Sequence, residues 1–155
     1  MGGYGGALKQ LSIGVASGAG KRYIHCVGKE NGSYDDMFKV EQDKFLEAMA
    51  DSAKTVVDYF KDNIVYINIM CNMSVDCDCC GVAKDPCMKD IGILASLDPV
   101  ALDQACIDLV YKSDDAGKKH LIERIIFLDE NQKGKIKDIY ILNKKTSEYE
   151  IGNKL

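Results

Sequence analysis

Five of the chain's seven cysteines fall between Cys71 and Cys87, in the run CNMSVDCDCCGVAKDPC. Two spacings nest at its centre. Cys77 and Cys79 form C-x-C, and Cys77 and Cys80 form C-x2-C, the spacing at which one tight turn aims two thiolates at a single metal. In an extended segment Cys77 and Cys79 project to the same side, whereas in a turn Cys77 and Cys80 converge. Either geometry gives two ligands locally, and Cys71 or Cys87 would complete a closed site. Soft sulfur donors select zinc, copper(I) or iron–sulfur clusters over magnesium or calcium. The metal reading therefore names Cys71, Cys77, Cys79, Cys80 and Cys87 as ligands and zinc or an iron–sulfur cluster as the bound group. The ferredoxin run C-x2-C-x2-C-x3-C-P is absent, so a ferredoxin-type cluster is not indicated.

Two other readings of the same cysteines stay open. A redox dithiol at Cys77 and Cys80 needs a helix N-terminus or a cation to lower its pKa, but the neighbours are Asp76, Asp78, Asp85 and Asp90. Such acidic surroundings oppose thiolate formation unless a metal supplies positive charge. Alternatively the cysteines are incidental and the chain is a structural or interaction domain. Cys106, inside an apolar helical pattern, reads as a small core residue. His25-Cys26 is the other adjacent pair of potential ligands, and His120 reads as exposed or packed rather than ligating. An enzyme of unknown reaction is the competing function, with Asp90, Asp98 and Asp103 lining a pocket beside the cysteine loop. Asp103 and Asp108 lie about 140° apart on a helix and do not share a face.

The composition narrows the partners. With 155 residues, 46% hydrophobic and 28% charged, the chain has the makeup of one folded domain, 1–155. A formal net charge of −4 and the lack of a long Lys/Arg run argue against nucleic acid as a partner. No apolar stretch is long enough to span a bilayer and no signal-peptide pattern opens the chain, so the expectation is no membrane and a cytoplasmic location. An odd number of cysteines, clustered rather than spread, fits a reducing compartment better than a disulfide framework. The glycines at 18 and 20 miss both the dinucleotide fingerprint and the P-loop pattern.

These residues need elements to position them. A short helix is expected from about Ala7 to Ala16, bounded by Gly18-Ala19-Gly20, then a short strand from Tyr23 to Val27 and a polar loop from Gly28 to Asp36. From Val40 to Asp62 the steps Phe45, Met49, Ala53, Val56, Val57 and Phe60 predict a helix with one apolar stripe. Ile64 to Met70 predicts a strand buried on two sides, because isoleucine and valine fall on both faces. It leads straight into the cysteine loop. Ile91 to Ala95 predicts a second strand, and Asp98-Pro99 a capped helix to Lys112. A further helix from Ser113 or Asp114 to Leu128 and a terminal hairpin over 136–155 complete the pattern. The expected fold class is α/β, a small central mixed sheet flanked by helices.

Three stretches together resemble one family. GGYGGALKQLSIGVASGAGK at 2–21, CDCC with DIGILAS at 77–96, and DPVALDQACIDLV at 98–110 are similar, in the same order, to the family called domain of unknown function 362. The resemblance covers about residues 2–112. It implies an iron–sulfur association, a redox context and a redox partner protein, and it matches Cys77, Asp78, Cys79, Asp90, Asp98 and Asp103 to family positions. Relatives commonly carry ferredoxin-like cysteine motifs between the first stretch and the long helix; here Gly28 to Val40 stands in their place. Relatives also have a substantial half before GGYGGALK, so this chain resembles a C-terminal portion. That leaves a sheet edge or apolar face bare, and a homo-oligomer is expected to cover it.

Overall fold

The computed structural model describes residues 6–76 and 81–122. Its elements run α1 (Ala7–Lys9), a π-helical continuation (Gln10–Gly14), α2 (Gly18–His25), α3 (Tyr34–Met37), α4 (Gln42–Phe60), β1 (Tyr66–Met70), β2 (Gly92–Ser96) and α5 (Pro99–Lys112). The fold is mixed α/β, as the strand–loop–strand–helix pattern implies. Among the described residues the sheet has two strands and is antiparallel rather than mixed, with Tyr66 opposite Ser96 and Met70 opposite Gly92. No helix among the described residues is long and apolar enough to cross a membrane.

The long helix α4 forms where its apolar spacing places it. Leu46, Met49, Ala50 and Ala53 are the residues it buries, and Val56 and Val57 pack beside them. Phe60, expected on that stripe, is 43% exposed instead, because the helix ends there. Lys61 turns the chain with φ 52°. The first helix opens at Ala7 as expected and closes at Gly14 with a widened turn, Val15 N–H donating to the Gln10 carbonyl at 2.9 Å. Ala7, Leu8 and Leu11 join Ala50, Ala53, Tyr66, Val100 and Leu102 in the main core.

The strand expected at Tyr23 to Val27 is not there. Ser17 caps α2 by accepting from the Gly20 N–H at 3.1 Å, so Gly18 and Gly20 lie inside a helix rather than bounding one. Ile24 then packs against Leu46 and Met49 of α4, and this tertiary contact outweighs the weak β preference of a five-residue run. Val27 and Gly28 end the helix with φ of 51° and 80°, Gly28 N–H returning to the Tyr23 carbonyl at 2.9 Å. Within the expected polar loop, Ser33 starts α3 through a capping box with Asp36. The Asp36 carboxyl is held well below the usual carboxylate range, first by its bond from the Ser33 backbone and then by Lys29.

The sheet also departs from expectation on one face. Tyr66 and Met70 of β1 are buried, but Ile67 and Ile69 between them are 59% and 64% exposed. The two-sided burial read from the isoleucines is therefore met on the inner face alone. Of the helix expected after Ser113, helical turns run from Lys118 to Ile122. Its continuation to Leu128 and the hairpin over 136–155 lie outside the described residues.

Candidate metal centre

The cysteine loop connects β1 to β2, and the two strands fix its ends. Their ladder extends one step past Met70, where the Ile91 N–H donates to the Met70 carbonyl at 2.9 Å. Cys71 follows, exposed, and Asn72 takes a left-handed conformation with φ 49°. Asparagine tolerates this region far better than β-branched residues do. The turn aims the Asn72 N–H at the Asp90 carboxylate, 2.9 Å away.

Above this base the two limbs of the loop are laced together. Cys87 N–H donates to the Met73 carbonyl at 2.9 Å, and the Cys87 thiol reaches the same oxygen at 3.5 Å. Ser74 Oγ donates to the Lys84 carbonyl at 2.8 Å, and Lys84 N–H donates to Asp76 Oδ2 at 3.1 Å. Asp76 N–H donates in turn to Ser74 Oγ at 3.3 Å. The limbs thus meet at Met73–Cys87, Ser74–Lys84 and Asp76–Lys84. Cys77, Cys79 and Cys80 belong to the stretch between Asp76 and Gly81 and lie outside the described residues.

The neck rests on a methionine-rich cluster. Met70, Met88 and Val110 are buried there, with Met73, Cys87, Cys106 and Leu109 among the side chains packed around them. The turn after α5 clasps the exit limb. Lys89 N–H donates to Asp115 Oδ2 at 3.1 Å, and Gly117 N–H donates to Asp115 Oδ1 at 2.7 Å. Those two bonds, Gly117 first, draw the Asp115 carboxyl below its ordinary range. A Cβ on Gly117 would stand 1.7 Å from the Cys87 carbonyl oxygen, so no other residue fits against the cysteine limb there.

Cys71 and Cys87 are both free thiols. The bond to Met73 places Cys87 opposite a residue two positions after Cys71. Cys26 and Cys106 are used otherwise. Cys26 is buried and donates to the Ser33 carbonyl at 3.7 Å. His25, its neighbour, donates from Nδ1 to the Lys21 carbonyl at 2.7 Å and stacks on Phe45 at 4.8 Å. Burial pushes the Cys106 thiol up, opposed by the Asn68 amide at 3.3 Å. Among the described residues no three of His, Cys, Asp and Glu form a group able to hold a metal ion.

The carboxylates assigned to the enzyme reading each accept from a different segment of backbone. Asp90 holds Asn72. Asp98 caps α5, accepting from Val100 N–H at 2.8 Å and Ala101 N–H at 3.1 Å. Asp103 is 2% exposed and caps α1 instead, accepting from Ala7 N–H at 2.8 Å, Leu8 N–H at 3.0 Å and the Asn68 amide at 2.8 Å. A cavity of about 380 Å³ does open near the end of α4, but Val57, Asp58, Lys61, Asp62, Tyr66 and Leu97 line it. None of the three expected carboxylates lines it; each is engaged by a different stretch of backbone.

Asp103 is the residue whose role the sequence concealed. It looks like a solvated or catalytic acid, yet it lies on the face of α5 that buries Val100, Leu102 and Ala105. An acid on an apolar face signals a buried partner. The partner here is the glycine-rich entry to α1, whose N–H groups need an acceptor. Burial raises the Asp103 pKa against the opposing pull of its bonds from Leu8, Asn68 and Ala7. Gly6 is fixed by the same contact, since a Cβ there would fall 2.5 Å from Asn68 Nδ2 and 2.6 Å from Asp103 Oδ1.

Neither a curated protein nor a solved structure matches the chain. The model of the family described as Domain of unknown function (DUF362) matches residues 1–108, and the chain belongs to that family.

Proposed function

We propose that the protein is a thiolate metal- or iron–sulfur-binding module working in a reducing, redox context, with the loop from Cys71 to Cys87 as its site. The observation that carries this reading is the laced neck. Hydrogen bonds between Met73 and Cys87, Ser74 and Lys84, and Asp76 and Lys84 close the chain on either side of the Cys77–Cys80 stretch. Closing a loop at its neck shortens the span of chain left to order, which lowers the entropic cost of ligand binding within it. Cys71 and Cys87 flank the neck as free thiols.

Cys77, Cys79 and Cys80 supply the central ligands, and Cys71 or Cys87 the fourth. Coordinated this way, the thiolates are deprotonated by the cation itself, and Asp76 and Asp90 hold the loop rather than the metal. Were Cys87 the fourth ligand, its sulfur would give up the weak contact with the Met73 carbonyl. The testing experiment is metal analysis of protein purified without oxygen. The expected result is close to one equivalent of zinc, or iron with matching sulfide, falling severalfold in Cys77→Ser with Cys79→Ser. Less than about one-tenth of an equivalent of zinc, iron or copper, with stability untouched by those substitutions, contradicts the reading.

A further inference from the structure

The outer face of the β1–β2 ribbon has no part in the metal site, and its chemistry is unusual for a surface. Side chains alternate cleanly along β1: Tyr66 and Met70 point to the core, while Ile67 and Ile69 point away at 59% and 64% exposed. The antiparallel register sets Ile69 opposite Ile93 and Ile67 opposite Ala95. Ile93 is 70% exposed, and continuing the alternation one residue past each strand adds Val65 at 58% and Leu97 at 74%. Both stretches, Val65 to Met70 and Ile91 to Leu97, are without a single charged residue or proline. Exposed ribbons are normally guarded by such residues, because bare apolar strands invite association.

We propose that this face is a self-association surface, on which a second copy of the chain packs its own β1–β2 face about a two-fold axis. A two-fold contact uses the same patch on both partners, so the patch must be self-complementary. An uncharged face of branched aliphatic side chains meets that condition without needing opposite charge. The size also fits. Five such side chains, each more than half exposed, offer on the order of 400 Å² of apolar surface. A standard interface buries about 800 Å² per partner, of which about 57% is apolar. The patch is thus the apolar part of one interface, with the polar ends of the ribbon as rim. Two ribbons stacked about 10 Å apart give each strand the second buried face that its isoleucines imply.

The test is sedimentation velocity with light scattering on the full chain over a wide concentration range. The 17.1 kDa chain is expected as a dimer, and Ile69→Asp and Ile93→Lys are each expected to weaken the dimer at least tenfold while leaving circular dichroism unchanged. Ile69→Thr, which keeps a β-branched side chain, guards against loss of fold and is expected to weaken association by a smaller factor. Phe38→Asp, at a 75% exposed position on α3, is expected to leave the mass unaltered. A monomer at every concentration overturns the proposal and assigns the face to residues 123–155 or to a different polypeptide. A dimer that survives both Ile69→Asp and Ile93→Lys overturns it as well.

Discussion

Replacing Asp103 probes the contact that ties three elements together. Its carboxylate accepts from two backbone N–H groups of α1 and from Asn68 of β1, so Asp103→Ala strands three buried donors at once. Each hydrogen bond to a charged group contributes roughly 1.5–3 kcal/mol, a gross loss of about 5–9 kcal/mol. Against this, the substitution removes the several kcal/mol that desolvating a buried carboxylate costs. The net expectation is a destabilisation of about 2–4 kcal/mol, measured by urea unfolding at constant slope. Asp103→Asn keeps one acceptor oxygen but turns an amide N–H toward a backbone donor, and should cost about 1–3 kcal/mol. The pH dependence supplies a second check. Burial raises the Asp103 pKa above its ordinary value of 3.8, so folding favours the protonated acid. Its stabilising contribution is then full below pH 3.8 and is lost as pH rises toward the folded pKa. The stability gap between the natural chain and Asp103→Asn should therefore narrow as pH rises from the carboxylate range. A loss below about 0.5 kcal/mol in Asp103→Ala, or a gap that widens with pH, refutes the reasoning.

Three further substitutions test neighbouring contacts. Gly6→Ala places a methyl against Asn68 and Asp103 and should destabilise by about 1–3 kcal/mol in the same unfolding assay, with little further loss in an Asp103→Ala background. Asp98→Ala removes the cap of α5 and should cost about 1 kcal/mol, lowering helical dichroism only slightly. Gly117→Ala drives a methyl into the Cys87 carbonyl; it should lower metal affinity at least tenfold, read by competition with a chelator, while Ala116→Gly beside it should not.

The helices that the sequence shows most clearly are those whose signals are local. Asp98-Pro99 is a cap followed by a residue that only a helix start accommodates, and α5 begins there. The α4 stripe is long enough for its period to dominate. The Tyr23 to Val27 stretch misleads because five residues carry too little pattern to outweigh the Ser17 cap and the seat Ile24 finds against Leu46 and Met49. The isoleucines of β1 raise a different problem: sequence shows that both faces are apolar, but not whether one chain supplies both covers. For the site, the clustering of cysteines was plain, whereas the lacing of Ser74, Asp76 and Lys84 was not, because it joins residues ten and eight apart through side chains with no periodic signature. Asp103 escaped for a similar reason, its partners lying 95 and 96 positions away.

The most direct test of thiolate coordination is X-ray absorption at the metal edge on protein purified without oxygen. A first shell of sulfur is expected, at about 2.3 Å if the metal is zinc, with a coordination number near four that drops in Cys79→Ser. A shell made only of oxygen or nitrogen at about 2.0–2.1 Å, unchanged in Cys79→Ser, contradicts it.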